Sequence, residues 1–535
     1  MKGPAVLSSF LLKPFGKWNT MPAVFAAHTT TAALLALSVA VGLALPHPWW
    51  AAMTIWLVAQ PTRGLFIERC AARLLGTAAG AVVGAAAALA FAHDRVILLA
   101  ALAAWLMLCA AAGAALRHFR SYAAVLAGYT ASIVALFGYA EGDFSLFQAG
   151  ARVACTLMGI GVSALVSAVF LKPGGSGAIA LALRTLEERC ASWSRQPAAT
   201  RRTGPARQKA AVLARDVARF ERSLEDNAAG SLAARRTLGA VRSRLEVVLE
   251  ILATSSLVDQ PAMQGEADFP GSAGFAGAAL ARHAAMMRAA ARPAAALGMA
   301  ALLWLATGWP EGPIAVMTAA IFASLFSSHE RARDALKGVM QGSAIGAVAG
   351  LGFRVLVTPH LAGLPSLILA LAPFLAGGAF LMARPATARM AIDINMTFLL
   401  VAQPGLDLPP ATAEAARQAA AMLAGIGCAW LTYTALLPTL WERDLLYRGA
   451  RMRQLADSLC RMPPAARQAR ERREMTQVVL SICCDGRTPA SVCMAALAVA
   501  GRAAQLGAEQ QAELLMRAVA TLSNLIKSTT KKSEF

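Results

Sequence analysis

Long apolar runs, free or nearly free of Asp, Glu, Lys and Arg, recur along this chain and are separated by short polar connections. Crossing hydrocarbon as a helix takes about 18–20 such residues. Met21–Leu45 is the first run, and it exceeds the h-region of a signal peptide, which predicts a retained transmembrane helix. The pattern places spans near 22–45, 49–60, 74–92, 96–116, 121–138 and 150–171, then near 289–308, 312–326, 338–358, 364–383, 390–402 and 415–437. The run at 49–60 is short, and Gln60-Pro61 would break its helix. Between these groups the pattern changes. Ala178–Ser194, Ala206–Ser256 and Trp441–Phe535 carry apolar residues at helical spacing amid Arg and Glu, predicting amphipathic helices that form a bundle. Gln196–Pro205 reads as a loop and Gln260–Gly277 as a linker, with further turns at Met462–Pro464 and Asp485–Pro489. The expected organisation is a first membrane half at 1–171, a helical region and linker at 172–288, a second membrane half at 289–437 and a C-terminal helical region at 438–535.

Composition supports an all-α polytopic membrane protein. The chain is 57% hydrophobic and only 15% charged, with a mean hydropathy of +0.53, whereas ordinary soluble domains carry roughly 25% charged residues. The net charge of +20 is read through its placement. Lys2, Lys13, Lys17, Arg63, Arg69, Arg73, Arg117, Arg120 and Lys172 fall in connections that would share one face of the membrane. So do Arg331, Arg333, Lys337, Arg384, Arg389, Arg443 and Arg448 in the second half. Only Arg95, Arg152, Arg354 and Arg417 lie at or near the opposite ends. The positive-inside rule then sets both termini in the cytoplasm of a bacterial inner membrane. No nucleic-acid module accompanies the charge, so nucleic acid is not an expected partner. Nine cysteines lack zinc-site spacing and fall in spans or cytoplasmic segments, so neither a metal site nor a disulfide is expected.

The two membrane halves repeat each other. Gly76-Thr77-Ala78-Ala79-Gly80-Ala81-Val82-Val83-Gly84 returns as Gly342-Ser343-Ala344-Ile345-Gly346-Ala347-Val348-Ala349-Gly350, 266 positions on. Gly159-Ile160-Gly161 and Gly425-Ile426-Gly427 are separated by the same 266 positions. Ala151-Arg152 and Ala416-Arg417 precede them with a slip of one residue. Six spans per copy would make the repeats parallel. The Gly and Ala rows let helices approach closely, and homo-oligomers are expected from such faces.

Residues 48–84 carry a further signal: Pro48-Trp49-Trp50-Ala51-Ala52-Met53-Thr54, Gln60-Pro61-Thr62-Arg63-Gly64, then Arg73 and Gly76-Thr77 followed by Gly80, with Gly128-Tyr129-Thr130 later. In order and spacing these resemble the fusaric acid resistance/aromatic acid exporter family. That resemblance implies export of aromatic carboxylic acids or related toxic organic compounds, with a periplasmic membrane-fusion adaptor and an outer-membrane channel as partners. His28 ahead of the family motifs and Glu68-Arg69 in the following loop depart from the family pattern. A passive organic-anion channel and a transporter of lipids or other drugs are the alternatives.

No phosphate-binding loop of the GxxxxGK type is present, and no cofactor is expected. For a monovalent anion, 100 mV across the membrane is worth about 2.3 kcal/mol, roughly fifty-fold in concentration. An ionisable residue inside a span is a functional candidate by default. Asp393, with Asn395 near it, reads as a proton relay or substrate partner, or else as a helix cap or a mate for Arg389. Arg152 and Arg417 each offer a planar fork suited to a carboxylate, or snorkel to lipid phosphate. Arg63 and Arg73 sit at the cytoplasmic mouth, where they attract anions or simply set topology. Gln60-Pro61 opens backbone to the pathway, and Tyr129-Thr130 either stacks on an aromatic acid or packs. His329 and Asp334 match an HxxxxD acyltransferase pattern, but they fall in the loop the repeat demands, so no enzyme activity is expected.

Overall fold

The computed structural model describes residues 22–59, 63–91, 93–116, 118–141, 146–170, 176–201, 203–228, 232–257, 274–327, 329, 332–384, 387–405, 411–438, 441–461, 466–485, 487–504 and 509–533. The first membrane half runs as α1 (Pro22–Gly42), α2 (Trp49–Val58), α3 (Arg63–Phe91), α4 (Arg95–Ala115), α5 (His118–Glu141) and α6 (Leu146–Phe170). Polar helices follow: α7 (Ser176–Ser194), α8 (Ala198–Arg201), α9 (Gly204–Ala228) and α10 (Leu232–Leu257). The second half repeats the first as α11 (Gly274–Thr307), α12 (Gly312–Leu325), α13 (Ala332–Leu356), α14 (Gly363–Met382), α15 (Ala388–Ala402) and α16 (Thr412–Leu431). The last four are α17 (Trp441–Arg461), α18 (Ala466–Cys484), α19 (Ala490–Ala504) and α20 (Glu509–Ser533).

Among the described residues, nine of the twelve expected spans are helices long and apolar enough to cross a membrane. The other three form where expected and are shorter. Helices α2, α12 and α15 have 10, 14 and 15 residues, which at about 1.5 Å each falls short of a hydrocarbon layer about 30 Å thick. Their ends explain their length. Pro48 and Pro313 stand at the starts of α2 and α12, where proline fits the first turn but cannot extend a helix backwards. Gln403 takes a left-handed conformation, φ 45°, and stops α15.

The chain divides into two compact units. One comprises the membrane halves, Phe15–Pro173 with Ala285–Thr439. Two apolar cores hold it together. One joins α1, α2 and α6 to α14 and α15, with Phe353 of α13. The other joins α11, α12 and α16 to α4 and α5, with Ala88 of α3 and the start of α13. Each half thus gives its first, second and sixth helices to one core and its fourth and fifth to the other, so neither half completes a core alone.

Small residues turn inward and large ones outward. Along α3, Gly76, Gly80 and Gly84 lie on the backbone of α5; a Cβ at Gly80 would come 2.6 Å from the Ala127 carbonyl oxygen. Helix α13 repeats this, with Gly342 on Met390 and Gly346 on Ile394 of α15. On the opposite stripes Leu75, Val82 and Leu89 are 67%, 70% and 55% exposed, as is Val348 at 72%. Apolar side chains directed outward around a core of Gly and Ala suit lipid rather than water as solvent.

The second unit brings together the described parts of Gly174–Ala284 and Leu440–Phe535. Leu183, Leu186, Val217, Leu224 and Leu252 share a core with Met452, Leu455, Val479, Val492 and Leu522. Two amphipathic stretches far apart in sequence therefore form one bundle. At its side Asp216, buried, takes a hydrogen bond from Arg189 at 2.9 Å. Asp216→Ala should destabilise the protein by about 1–3 kcal/mol by leaving Arg189 half-buried without its carboxylate. Glu513→Ala, breaking the exposed pair with Arg517, should cost less than about 1 kcal/mol. Thermal unfolding of the purified full chain compares the two, and equal midpoints would contradict the assignment.

Candidate functional site

The closest packing in the first half also assembles its charged groups. On α3, Arg73 follows the same helical face as the glycines that admit α5, so its side chain is turned inward and only 3% exposed. On α5, Tyr122 and Tyr129 are seven residues apart and share a face. Arg73 donates a hydrogen bond to the Tyr122 hydroxyl at 3.2 Å, and Tyr129, also buried, lies within electrostatic reach of Arg73 and Arg152. Arg69 stacks over the Tyr122 ring at 4.7 Å and donates to the Leu57 carbonyl oxygen at 2.8 Å, which satisfies a carbonyl left open at the end of α2.

Arg152 reaches the same region from α6. Cys155 and Gly159 share its helical face. The Cys155 thiol donates to the Pro46 carbonyl oxygen at 3.6 Å, and Gly159 lies against Ala51 and Thr54 of α2. This seats the start of α2 on α6 and lays the Arg152 guanidinium over the Trp50 ring, 3.4 Å from its centroid. Such a cation–π contact is worth about 2 kcal/mol when desolvated, and it engages the face of the guanidinium rather than its N–H groups. The Arg152 Nε has no hydrogen-bond partner, nor does that of Arg73. Arg73 and Arg152 act on each other electrostatically, and among the described residues neither forms an ion pair. Two guanidiniums close together without a carboxylate, inside apolar helices, form an arrangement that an anion completes.

Beside Arg152 opens a small recess lined by Pro46, His47, Trp50, Ile133, Val134, Phe137 and Ala151. Its rings meet edge to face: His47 on Phe137 at 5.1 Å and Trp50 on Phe137 at 6.4 Å. His47 takes a left-handed backbone conformation, φ 52°, uncommon for a residue with a Cβ.

The remaining candidates stand elsewhere. Thr130 is buried on Gly80 and faces α3 as packing. Gln60, Pro61 and the side chain of Arg63 lie outside the described residues. In the second half, Asp393 abuts Gly342 on α13, whereas Asn395 is buried against Gly378 on α14, so the two point to different neighbours. No cation pairs with Asp393 among the described residues; the side chain of Arg389, its alternative mate, lies outside them. Arg417 is not a second free fork. It is bound to the buried Glu311 carboxylate, Nε to Oε1 at 2.5 Å. Arg152 and Arg417, matched in sequence, therefore differ in the property that matters, the presence of an internal acid. Sequence reading missed Tyr122, His47 and Phe137 as site residues; the seven-residue spacing of Tyr122 from Tyr129 was the available signal for the first. Among the described residues no group of three or more His, Cys, Asp or Glu is placed to hold a metal ion.

Comparison with known proteins adds a name to this geometry. The chain is 33% identical over 171 residues to the transporter YdhK of Escherichia coli K12, covering 31% of this chain and 25% of that one. It is 30% identical over 152 residues to the transporter GOX0755 of Gluconobacter oxydans, covering 27% and 21%. It thus spans about a quarter or less of the relatives' length. No solved structure matches it. One family model matches twice, over residues 22–273 and 266–530, following the two halves. A multi-pass helical membrane protein with this duplicated match belongs to the fusaric acid resistance protein family.

Proposed function

We propose that this membrane transporter exports aromatic carboxylic acids or related organic anions across the bacterial inner membrane, with both termini in the cytoplasm. The observation that carries the reading is the pair Arg73 and Arg152, which act on each other electrostatically with Tyr129 in reach of both and which, among the described residues, lack an acidic mate. A fixed positive pair in a low-dielectric surrounding favours an anionic passenger over a neutral or cationic one. The aromatic lining beside Arg152 favours a passenger with a ring. An inside-negative potential drives such an anion outward without nucleotide hydrolysis. Membrane helices joined by short connections do not bridge a periplasm, which supports a periplasmic adaptor and an outer-membrane channel as partners.

Efflux from cells tests this. Cells carrying the chain with an adaptor should release preloaded benzoate and 4-hydroxybenzoate several-fold faster than cells carrying either protein alone. The corresponding amides should leave at the control rate. Equal retention of all carboxylates with and without the pair would remove the proposal. Carboxylate conductance through the chain alone in a planar bilayer would replace export with a passive channel.

A further inference from the structure

The turn between α18 and α19, in the polar helical unit, brings two thiols together. Cys483 stands at the end of α18 and Cys493 in the first turn of α19, 1% and 0% exposed. The Cys483 sulfur lies 4.0 Å from the Cys493 carbonyl oxygen, and its thiol donates a hydrogen bond to the Cys493 sulfur. Neither is in a disulfide. A third group joins them from a distant part of the sequence. Arg215, on α9, donates to the Thr488 carbonyl oxygen within the turn at 2.7 Å. Its guanidinium also hydrogen-bonds the Cys493 sulfur and acts electrostatically on both thiols.

These contacts make the two thiols unequal. The Cys483 hydrogen bond and the Arg215 charge hold the Cys493 thiol below its ordinary range, against burial and the Asp485 carboxylate. Asp485 is itself tied to Arg487, and the helix start adds to the preference for a thiolate. Cys483, which donates in that bond, is pushed well up by it and by burial, with Cys484 adding to the effect. Cys190 of the same bundle shows burial without such partners. Its thiol donates to the Val248 carbonyl oxygen at 3.4 Å and is pushed up to about 11.

We propose that Cys483 and Cys493 form a reversible thiol–disulfide modification site, closed by hydrogen peroxide. A sulfur beside an arginine at a helix start is a nucleophile, and a second thiol in contact with it is a resolving partner. Peroxide, small and uncharged, is the class of oxidant that so enclosed a pair admits. The Cys493 thiolate attacks one peroxide oxygen and the O–O bond breaks. The other oxygen leaves as hydroxide and takes a proton from solvent, and Cys493 becomes a sulfenic acid. The Cys483 sulfur then attacks the Cys493 sulfur, the S–O bond breaks, and the departing hydroxide takes the Cys483 proton as water. The two sulfurs lose two electrons and peroxide is reduced to two waters. A low-molecular-weight thiol reverses the bond by exchange. Closure takes the thiolate from Arg215 and leaves only Thr488 to tie that residue to the turn. Oxidation thus alters the join between the two sequence stretches that build the bundle.

Tryptic mapping of the purified full-length protein tests this, because trypsin cuts at Arg487, between the two cysteines. After hydrogen peroxide and alkylation, the expected product joins the Cys483 peptide to the Cys493 peptide, two hydrogens lighter than the reduced pair. Dithiothreitol should remove it. Cys483→Ser should abolish the cross-link and leave a sulfenic acid on Cys493, trapped by dimedone, whereas Cys484→Ser and Cys190→Ser should leave the cross-link unchanged. Arg215→Gln should slow its formation at least about fivefold at neutral pH and move the rate profile to higher pH. Arg215→Lys, which keeps the charge, should retain most of the wild-type profile. A cross-link through Cys484 in place of Cys483, or one formed only in urea, would overturn the proposal. So would finding both thiols intact after Cys460 and Cys484 have been oxidised. An unshifted pH profile in folded Arg215→Gln would overturn the role of Arg215.

Discussion

Arg152→Gln is expected to slow export of aromatic carboxylates by about ten- to a hundredfold, while Arg417→Gln leaves it within about twofold. The contrast follows from what each guanidinium already holds. Arg417 has spent its fork on Glu311, so its removal strands an internal carboxylate near the edge of the unit and is felt in stability. Arg152 is stacked on Trp50 and, among the described residues, pairs with no acid, so its removal is felt by the passenger. A hydrogen bond to a charged group is worth about 1.5–3 kcal/mol, and each 1.4 kcal/mol is about tenfold. Arg152→Lys keeps the charge but loses the planar fork and much of the stacking, and should recover only part of the rate. Initial efflux rates at matched protein levels read these effects. Equal losses at Arg152 and Arg417 would mean that both arginines serve the same structural end.

The second large effect concerns assembly of the membrane unit. Gly80→Ala should sharply reduce the yield of folded protein, because its Cβ would come 2.6 Å from the Ala127 carbonyl oxygen and 2.7 Å from the Thr130 Cβ. Neither neighbour is the far end of a flexible side chain, so α3 and α5 would have to separate. Overpacking of this kind costs about 1–3 kcal/mol or more, and here it also moves Arg73 away from Tyr122. Gly346→Ala should act in the same way against Ile394 in the second half. Gly352→Ala, with open space around the added carbon, should be neutral and serves as control. Monodisperse recovery in detergent measures this. Normal recovery of Gly80→Ala would show that the interface yields more readily than its geometry implies.

Much of the fold was legible because lipid imposes a simple rule on composition. Apolar runs without charge marked the helices, and the duplicated glycine rows marked both the repeat and the faces on which α3 meets α5 and α13 meets α15. Helix length was legible as well, since the short runs at 49–60, 312–326 and 390–402 became helices of 10, 14 and 15 residues. Pro48 and Pro313 mark where two of these helices begin, and Gln403 marks where the third stops. The exchange of helices between halves had no local signal, since Gly and Ala faces do not specify which partner they accept. In the site, residue type pointed to Arg73, Tyr129 and Arg152, but partnership did not follow from it. Glu311 stands 106 positions from Arg417, and nothing near either arginine in sequence distinguishes the one with an internal carboxylate from the one without. The merging of two distant amphipathic stretches into one bundle was foreshadowed by their periodicity, which requires a mate for each apolar stripe.

The central claim is that an organic anion is held in the first half by Arg73, Tyr129 and Arg152. An experimental structure of the chain with 4-iodobenzoate, its iodine located by anomalous scattering, tests this most directly. The account predicts one iodine in the recess of Trp50 and Phe137, with the carboxylate on Arg152. Iodine beside Arg417 and Glu311, or beside Asp393 with the first half empty, would contradict it.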